Sequence, residues 1–273
     1  MPAIGNGGSL FYEASGHGDT ALLFVHGWLG SSDWWKEQAS YFGRWFSVLR
    51  LDLPGHGKSA GMGPEWTAAG YAEAIGAVVR HSGAQDVIIV AHSMAGAYAL
   101  LAATDTPSVR AVILVDTLKN LDQLMRYEDA QAGILALYRK DFVKAVREVL
   151  PGYLFGPATP DAVKERLQDE FLQVPAAHAI EVIEPLYKMD IPAIARRVSV
   201  PVRAINSSFT PSDAEANRRH FADYACVTIE GTGHYPMLEN ASEFNRVLAS
   251  LLGALRPASG ITGNSATSPC GAP

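Results

Sequence analysis

Cysteine is nearly absent from this chain of 273 residues. Cys226 and Cys270 are too few for a disulfide framework and lack the CxxC spacing that zinc or redox chemistry uses. Charge is scarce as well: 18% of residues are charged, against roughly 25% in an average globular chain. The 22 Lys plus Arg and 28 Asp plus Glu leave a net charge of −6, with no sustained basic run. A phosphate-tracking surface is therefore not expected, so nucleic acid is set aside as a partner in favour of a small neutral or apolar ligand. No apolar run reaches the roughly 18 residues of a membrane span, and no membrane partner is expected. The opening Met1-Pro-Ala-Ile-Gly-Asn-Gly-Gly8 has no basic stretch leading into an apolar one, so no secretory leader is read and a cytoplasmic location is the expectation. The oligomeric state is not legible.

What is abundant is apolar surface, 48% of the chain, enough for one large α/β core. The runs Ala21 to Val25, Val87 to Ala91 and Ala111 to Val115 are Val-, Ile- and Leu-rich without alternation, the pattern of strands covered on both faces. Further strands are expected at Ser9 to Ala14, Phe46 to Leu51, Pro201 to Asn206 and Tyr224 to Ile229. Helices are expected at Glu65 to Ser82, Met94 to Ala103 and Ala241 to Leu252, so strand and helix alternate as in a parallel sheet. From Leu118 to about Asp190 helical patterns follow one another with no strand between them. We therefore divide the chain into a core of 1–117 and 191–256, a helical cap of 118–190, and a disordered tail of 257–273 rich in Gly, Ser, Thr, Ala and Pro.

The strongest chemical signal is Val87-Ile-Ile-Val-Ala-His-Ser-Met-Ala-Gly96, a buried strand that meets a helix through a serine with alanine two residues away on each side. This is the spacing of a nucleophile elbow, where the turn is so tight that only small residues fit at those positions. Ser93 would sit at the helix start, with the Met94 N–H aimed at a developing oxyanion. Phe24-Val-His-Gly-Trp-Leu-Gly30 follows an earlier strand and offers the Trp28 N–H as a second donor, with His26 orienting the loop. Asp52-Leu-Pro-Gly-His-Gly-Lys-Ser59 lacks the spacing of a phosphate-binding loop. Of the eight histidines, His234 in Glu230-Gly-Thr-Gly-His-Tyr-Pro-Met237 is the candidate base, on a loop free to swing. An imidazole titrating at about 6.5 takes a proton from serine and returns it to a leaving group.

In order and spacing, His26-Gly-Trp, Asp52-Leu-Pro-Gly-His-Gly-Lys-Ser, Ala91-His-Ser-Met-Ala-Gly and Gly233-His234 resemble the α/β-hydrolase superfamily over about residues 9 to 255. They are similar to its branch of small capped esterases, lactonases and carbon–carbon bond hydrolases. The resemblance implies a mostly parallel central sheet of about eight strands flanked by helices, a Ser-acid-His triad, and no cofactor or metal. Ser93 and His234 fall on the nucleophile and the base.

The acid does not map cleanly. The family commonly carries it after the strand that here ends at Asn206, yet Ser207-Ser208-Phe-Thr-Pro-Ser-Asp213 follows. Asp213 is the nearest downstream carboxylate and also reads as a helix start. Asp116, at the end of an earlier strand, is preferred, since some relatives place the acid there. A third possibility is that Ser208 or a water supplies only a weak orienting bond. The resulting expectation is a serine esterase working through an acyl-enzyme on a small, largely apolar ester. Its pocket is read as His26, Trp28, Leu121, Met125, Leu135, Tyr138 and Phe155. Alternatives with the same residues are a lactonase or carbon–carbon bond hydrolase, a cofactor-free dioxygenase that uses only His and Asp, or a non-catalytic ligand receptor.

Overall fold

The computed structural model describes residues 3–4, 8–61 and 66–255. Strands β1 (Ala3–Ile4) and β2 (Gly8–Ser9) form a small antiparallel pair ahead of the main sheet. That sheet contains β3 (Tyr12–Gly16), β4 (Ala21–Val25), β5 (Ser47–Leu51), β6 (Val87–His92), β7 (Val109–Val115), β8 (Val202–Ser207) and β9 (Tyr224–Ile229). It has seven strands in the order β3-β5-β4-β6-β7-β8-β9, rather than the eight expected. Only β3 runs antiparallel, at the edge against β5. Its exposed residues fit an edge strand, whereas β4 and β6 are buried at every position and need cover on both sides.

Helix α1 (Lys36–Phe42) connects β4 to β5, while α2 (Ala68–Ser82) and α3 (Met94–Asp105) carry the chain from β5 through β6 to β7. The direction of travel across the sheet reverses at β5, so right-handed crossovers put α1 on one face and α2 and α3 on the other. On the first face Trp35 packs against Phe24 and Phe244. On the second, Tyr71 of α2 stacks on Tyr98 of α3 with ring centroids 4.6 Å apart. Helix α2 begins at Ala68, where the Thr67 hydroxyl caps it by accepting from Gly70 N. The expected tail 257–273 and the start expected at Glu65 lie outside the described residues.

Between β7 and β8 the described chain is helical: α4 (Tyr127–Ala132), α5 (Ile134–Lys140), α6 (Phe142–Lys144) running into a π-helical turn, α7 (Pro151–Leu154), α8 (Asp161–Leu172), α9 (Ala176–Tyr187) and α10 (Ile191–Arg197). Helices α11 (Ala214–Arg218), α12 (Pro236–Glu239) and α13 (Ala241–Ala254) complete the described residues. Among the described residues no helix is long and apolar enough to cross a membrane.

The parallel register aligns the C-terminal ends of β4, β6, β7 and β8, with Val25 opposite Ala91, His92 opposite Val115, and Val115 opposite Ile205. Because the strand order switches between β4 and β6, the loops leaving these two ends diverge and open a crevice there.

Candidate functional site

Four non-glycine residues adopt positive φ among the described residues, and all follow these strand ends: Leu29 (55°), Ser93 (53°), Asp116 (47°) and Leu118 (49°). Such strain persists only where the surroundings enforce it, and it collects at functional sites. Ser93 is fixed from both sides. Its N–H continues the strand ladder to Val115 O, and its carbonyl accepts the first turn of α3 from Gly96 N. Ala91 and Ala95 flank it in full burial. Gly27 presses on the same turn, since a methyl group there would lie 3.0 Å from Ser93 Cβ and 2.6 Å from His92 Nδ1. The backbone of the His26-Gly27-Trp28 loop therefore lies against Ser93. Met94 opens α3, and the first N–H groups of a helix have no intrahelical acceptor.

Ser93 Oγ lies 2.9 Å from His234 Nε2, and His234 Nδ1 lies 2.8 Å from Asp116 Oδ2. Burial alone would raise the Asp116 carboxyl, but hydrogen bonds and charge from His234 and Lys119 outweigh it and hold the group well below the usual carboxylate range. An ionised carboxylate accepts only, so the proton between them sits on His234 Nδ1. Nε2 then presents a lone pair, and the Ser93 hydroxyl donates to it. The other Asp116 oxygen accepts from Ser207 N at 2.6 Å and pairs with Lys119 Nζ at 2.8 Å.

The loop bearing His234 does not swing freely, contrary to the expectation drawn from its glycines. Glu239 accepts from Gly233 N and Tyr235 N, His234 N donates to Leu154 O, and His92 Nε2 donates to His234 O at 2.8 Å. Burial pushes His92 down to about 3, with the neighbouring His234 charge adding to the shift, so this donor is a neutral imidazole.

Asp213, the alternative acid, does not reach His234. It caps α11 by accepting from Ala216 N, and its backbone N–H donates to Lys119 O. Ser208 Oγ accepts instead from Gly231 N.

A cavity of about 490 Å³ opens onto Ser93 and His234, walled by Trp28, Met125, Ile134, Leu137, Tyr138, Leu150, Tyr153, Ile183, Leu186 and Tyr187 among others. Trp28 is clamped there, its ring stacked on Tyr138 at 5.2 Å and its Nε1 donating to Ala179 O. Four residues expected in the pocket do not line it. His26 is fully buried below the loop, where Nε2 accepts from Leu53 N and Nδ1 donates to Gly27 O; burial lowers it to about 4. Leu135 is fully buried on the other side of α5, because Ile134, Leu137 and Tyr138 share the cavity face at helical spacing. Leu121 packs inward, its N–H donating to the Asn217 side-chain Oδ1, and Phe155 packs against Tyr235. Lys119, His92 and Glu239 also serve the site, beyond the residues expected from the sequence. His92 was visible inside the elbow motif, whereas Lys119 and Glu239 carry no local signature.

With this geometry in hand, likeness to known proteins is informative. Residues 22–247 match the Alpha/beta hydrolase family. The chain belongs to that family. This hydrolase is 39% identical over 99 residues to a non-heme haloperoxidase of Rhodococcus erythropolis, a match covering 35% of this chain and 36% of the relative, so it spans little more than a third of that protein's length. Over a longer stretch it is 22% identical to a pimeloyl-[acyl-carrier protein] methyl ester esterase of Neisseria meningitidis, covering 82% of this chain and 90% of the relative. Its fold matches the enol-lactonase of Burkholderia xenovorans with a TM-score of 0.79 at 19% identity, covering 93% of this chain and 100% of the other. It is thus an α/β hydrolase with an esterase among its relatives.

Proposed function

We propose that the protein is a serine hydrolase that cleaves a carboxylic ester of a small, largely apolar substrate through an acyl-enzyme. One observation carries this reading: the unbroken hydrogen-bonded chain from Ser93 through His234 to an ionised Asp116, opening onto an apolar cavity. His234 takes the Ser93 proton as Oγ attacks the ester carbonyl, and Asp116 stabilises the imidazolium that forms. The Met94 and Trp28 N–H groups receive the oxyanion. His234 then protonates the leaving alcohol, and a water molecule, activated by the same imidazole, cleaves the acyl-serine.

The helical segment 118–190 serves as the cap of this reading. It supplies most of the cavity wall and reaches the base directly through Leu154 O. The methyl ester esterase relative supports ester chemistry. A dioxygenase using only His and Asp would have no need of Ser93 at hydrogen-bonding distance from His234, which favours the serine reading.

Exposure to a fluorophosphonate, followed by intact-mass and peptide mapping, tests the proposal without the natural substrate. One adduct on Ser93 that disappears in His234→Ala is expected. An unmodified Ser93 in the wild-type protein would overturn the reading.

A further inference from the structure

Lys119 is an unusual neighbour for such a relay. Its side chain is 12% exposed, and its ammonium lies 2.8 Å from Asp116 Oδ1 on the side away from His234. The same Nζ is held by Thr210 Oγ1 at 2.8 Å, by Ser207 O and Ser207 Oγ at 3.1 Å, and by Thr210 O at 3.3 Å. These groups are Ser207, the last residue of β8, and Thr210 in the turn that follows it. A mostly buried ammonium is costly to desolvate, and a turn needing only closure has cheaper neutral solutions. The backbone also accepts left-handed conformations at Asp116 and Leu118 to bring Lys119 back onto the carboxylate.

We propose, resting on the serine-hydrolase reading, that Lys119 is a positioning residue: it pins the Asp116 carboxylate to the β8 turn and moderates how strongly the relay favours a charged His234. Lys119 thereby ties the ends of β7 and β8 into one unit, with Asp116 on the β7 side. The groups facing His234 from other elements are Ser93 and the neutral His92 at the end of β6, Asp116 after β7, and Tyr235 beside it. Glu239 on α12 lies behind and is engaged by Gly233 N, Tyr235 N and the Thr159 hydroxyl. On the far side of Lys119, Asp213 donates its N–H to Lys119 O while its carboxylate caps α11. Lys119 is thus the cation paired directly with Asp116. Removing its charge leaves the carboxylate's field on His234 uncompensated, so the imidazole holds a proton to higher pH and loses its role as base there.

The test compares wild type with Lys119→Met, Lys119→Gln and Lys119→Arg, using the rate of Ser93 phosphonylation against pH. Both neutral variants should move the acid limb of the profile upward by about one pH unit, and Arg should restore most of it. The downfield proton resonance of the His234 Nδ1–H donated to Asp116 should also move further downfield when the charge is lost, a readout that survives if Ser93 proves unreactive. Should Met not fold, Gln retains hydrogen bonds to the Thr210 side. An acid limb and a proton resonance that both stay in place in a folded neutral variant would overturn the proposal. An unreactive wild-type Ser93 would instead overturn the hydrolase reading, with the resonance still deciding on Lys119.

Discussion

The ends of β7 and β8 are neighbours in one parallel sheet, yet they are built for different tasks. After β7 the chain turns through two left-handed residues and presents an ionised carboxylate to His234. After β8 it offers Ser207, whose N–H and carbonyl serve Asp116 and Lys119, and a Thr210 that completes the hold on the ammonium. Adjacent strands stand roughly 4.8 Å apart, so a carboxylate on either rim is within reach of one imidazole. The chemistry constrains where the carboxylate must be, not which strand delivers it.

The sharpest way to break this comparison is to neutralise each candidate acid. Asp116→Asn should lower kcat on an activated ester by about 10⁴-fold, because an amide does not enforce the Nδ1–H tautomer. Asp213→Asn should stay within about threefold of wild type, since an asparagine also caps a helix. The reverse pattern would move the acid to the β8 side.

A second contrast lies in charge. The β7 end buries an anion, whereas the loops after β4 and β5 and the end of β6 bury His26, His56 and His92, which burial lowers to about 4, 3 and 3. These histidines stay neutral in the folded state while the unfolded chain protonates them below about 6.5. Stability should therefore fall as pH drops from about 6.5 toward 4, with a slope approaching about 4 kcal/mol per pH unit for three protons. Asp116 acts in a lower window: its folded value is depressed, so its contribution is present above the unfolded value and is lost as pH falls further, through the folded one. Urea midpoints at pH 7, 6 and 5 measure the slope, and His56→Gln should remove about a third of it. A flat profile would mean that these rings are protonated in the folded protein.

A smaller loss of rate than at Asp116 is expected at Gly27. An added methyl meets Ser93 Cβ and His92 Nδ1, so Gly27→Ala must displace the loop that carries the Trp28 N–H. Esterase kcat should drop about 10²-fold, as for loss of one oxyanion donor, with KM little changed. An unchanged kcat would separate Trp28 N–H from the reaction.

The parts legible in the sequence are those where a local rule has one outcome. Uninterrupted apolar runs such as Ala21 to Val25 and Val87 to Ala91 have no stable place except inside a parallel sheet, and both are buried strands. The elbow around Ser93 is legible because only small residues tolerate that turn. The cavity wall was less so. Trp28, Met125 and Tyr138 line it, but Leu135, one residue from Ile134, points the other way, because the short, interrupted helices α4 to α7 fix no phase in advance.

By itself, then, the sequence determined the strand–helix alternation, the serine at a strained turn and the histidine in a late loop, since these follow from hydrophobic runs and turn sterics. The tertiary structure alone decided which carboxylate meets His234, that Lys119 joins it to the β8 turn, and which faces of the inserted helices enclose the cavity. Those depend on residues far apart in the chain, such as Asp116 and His234, 118 positions from each other, which become neighbours only where parallel strands end at a common rim.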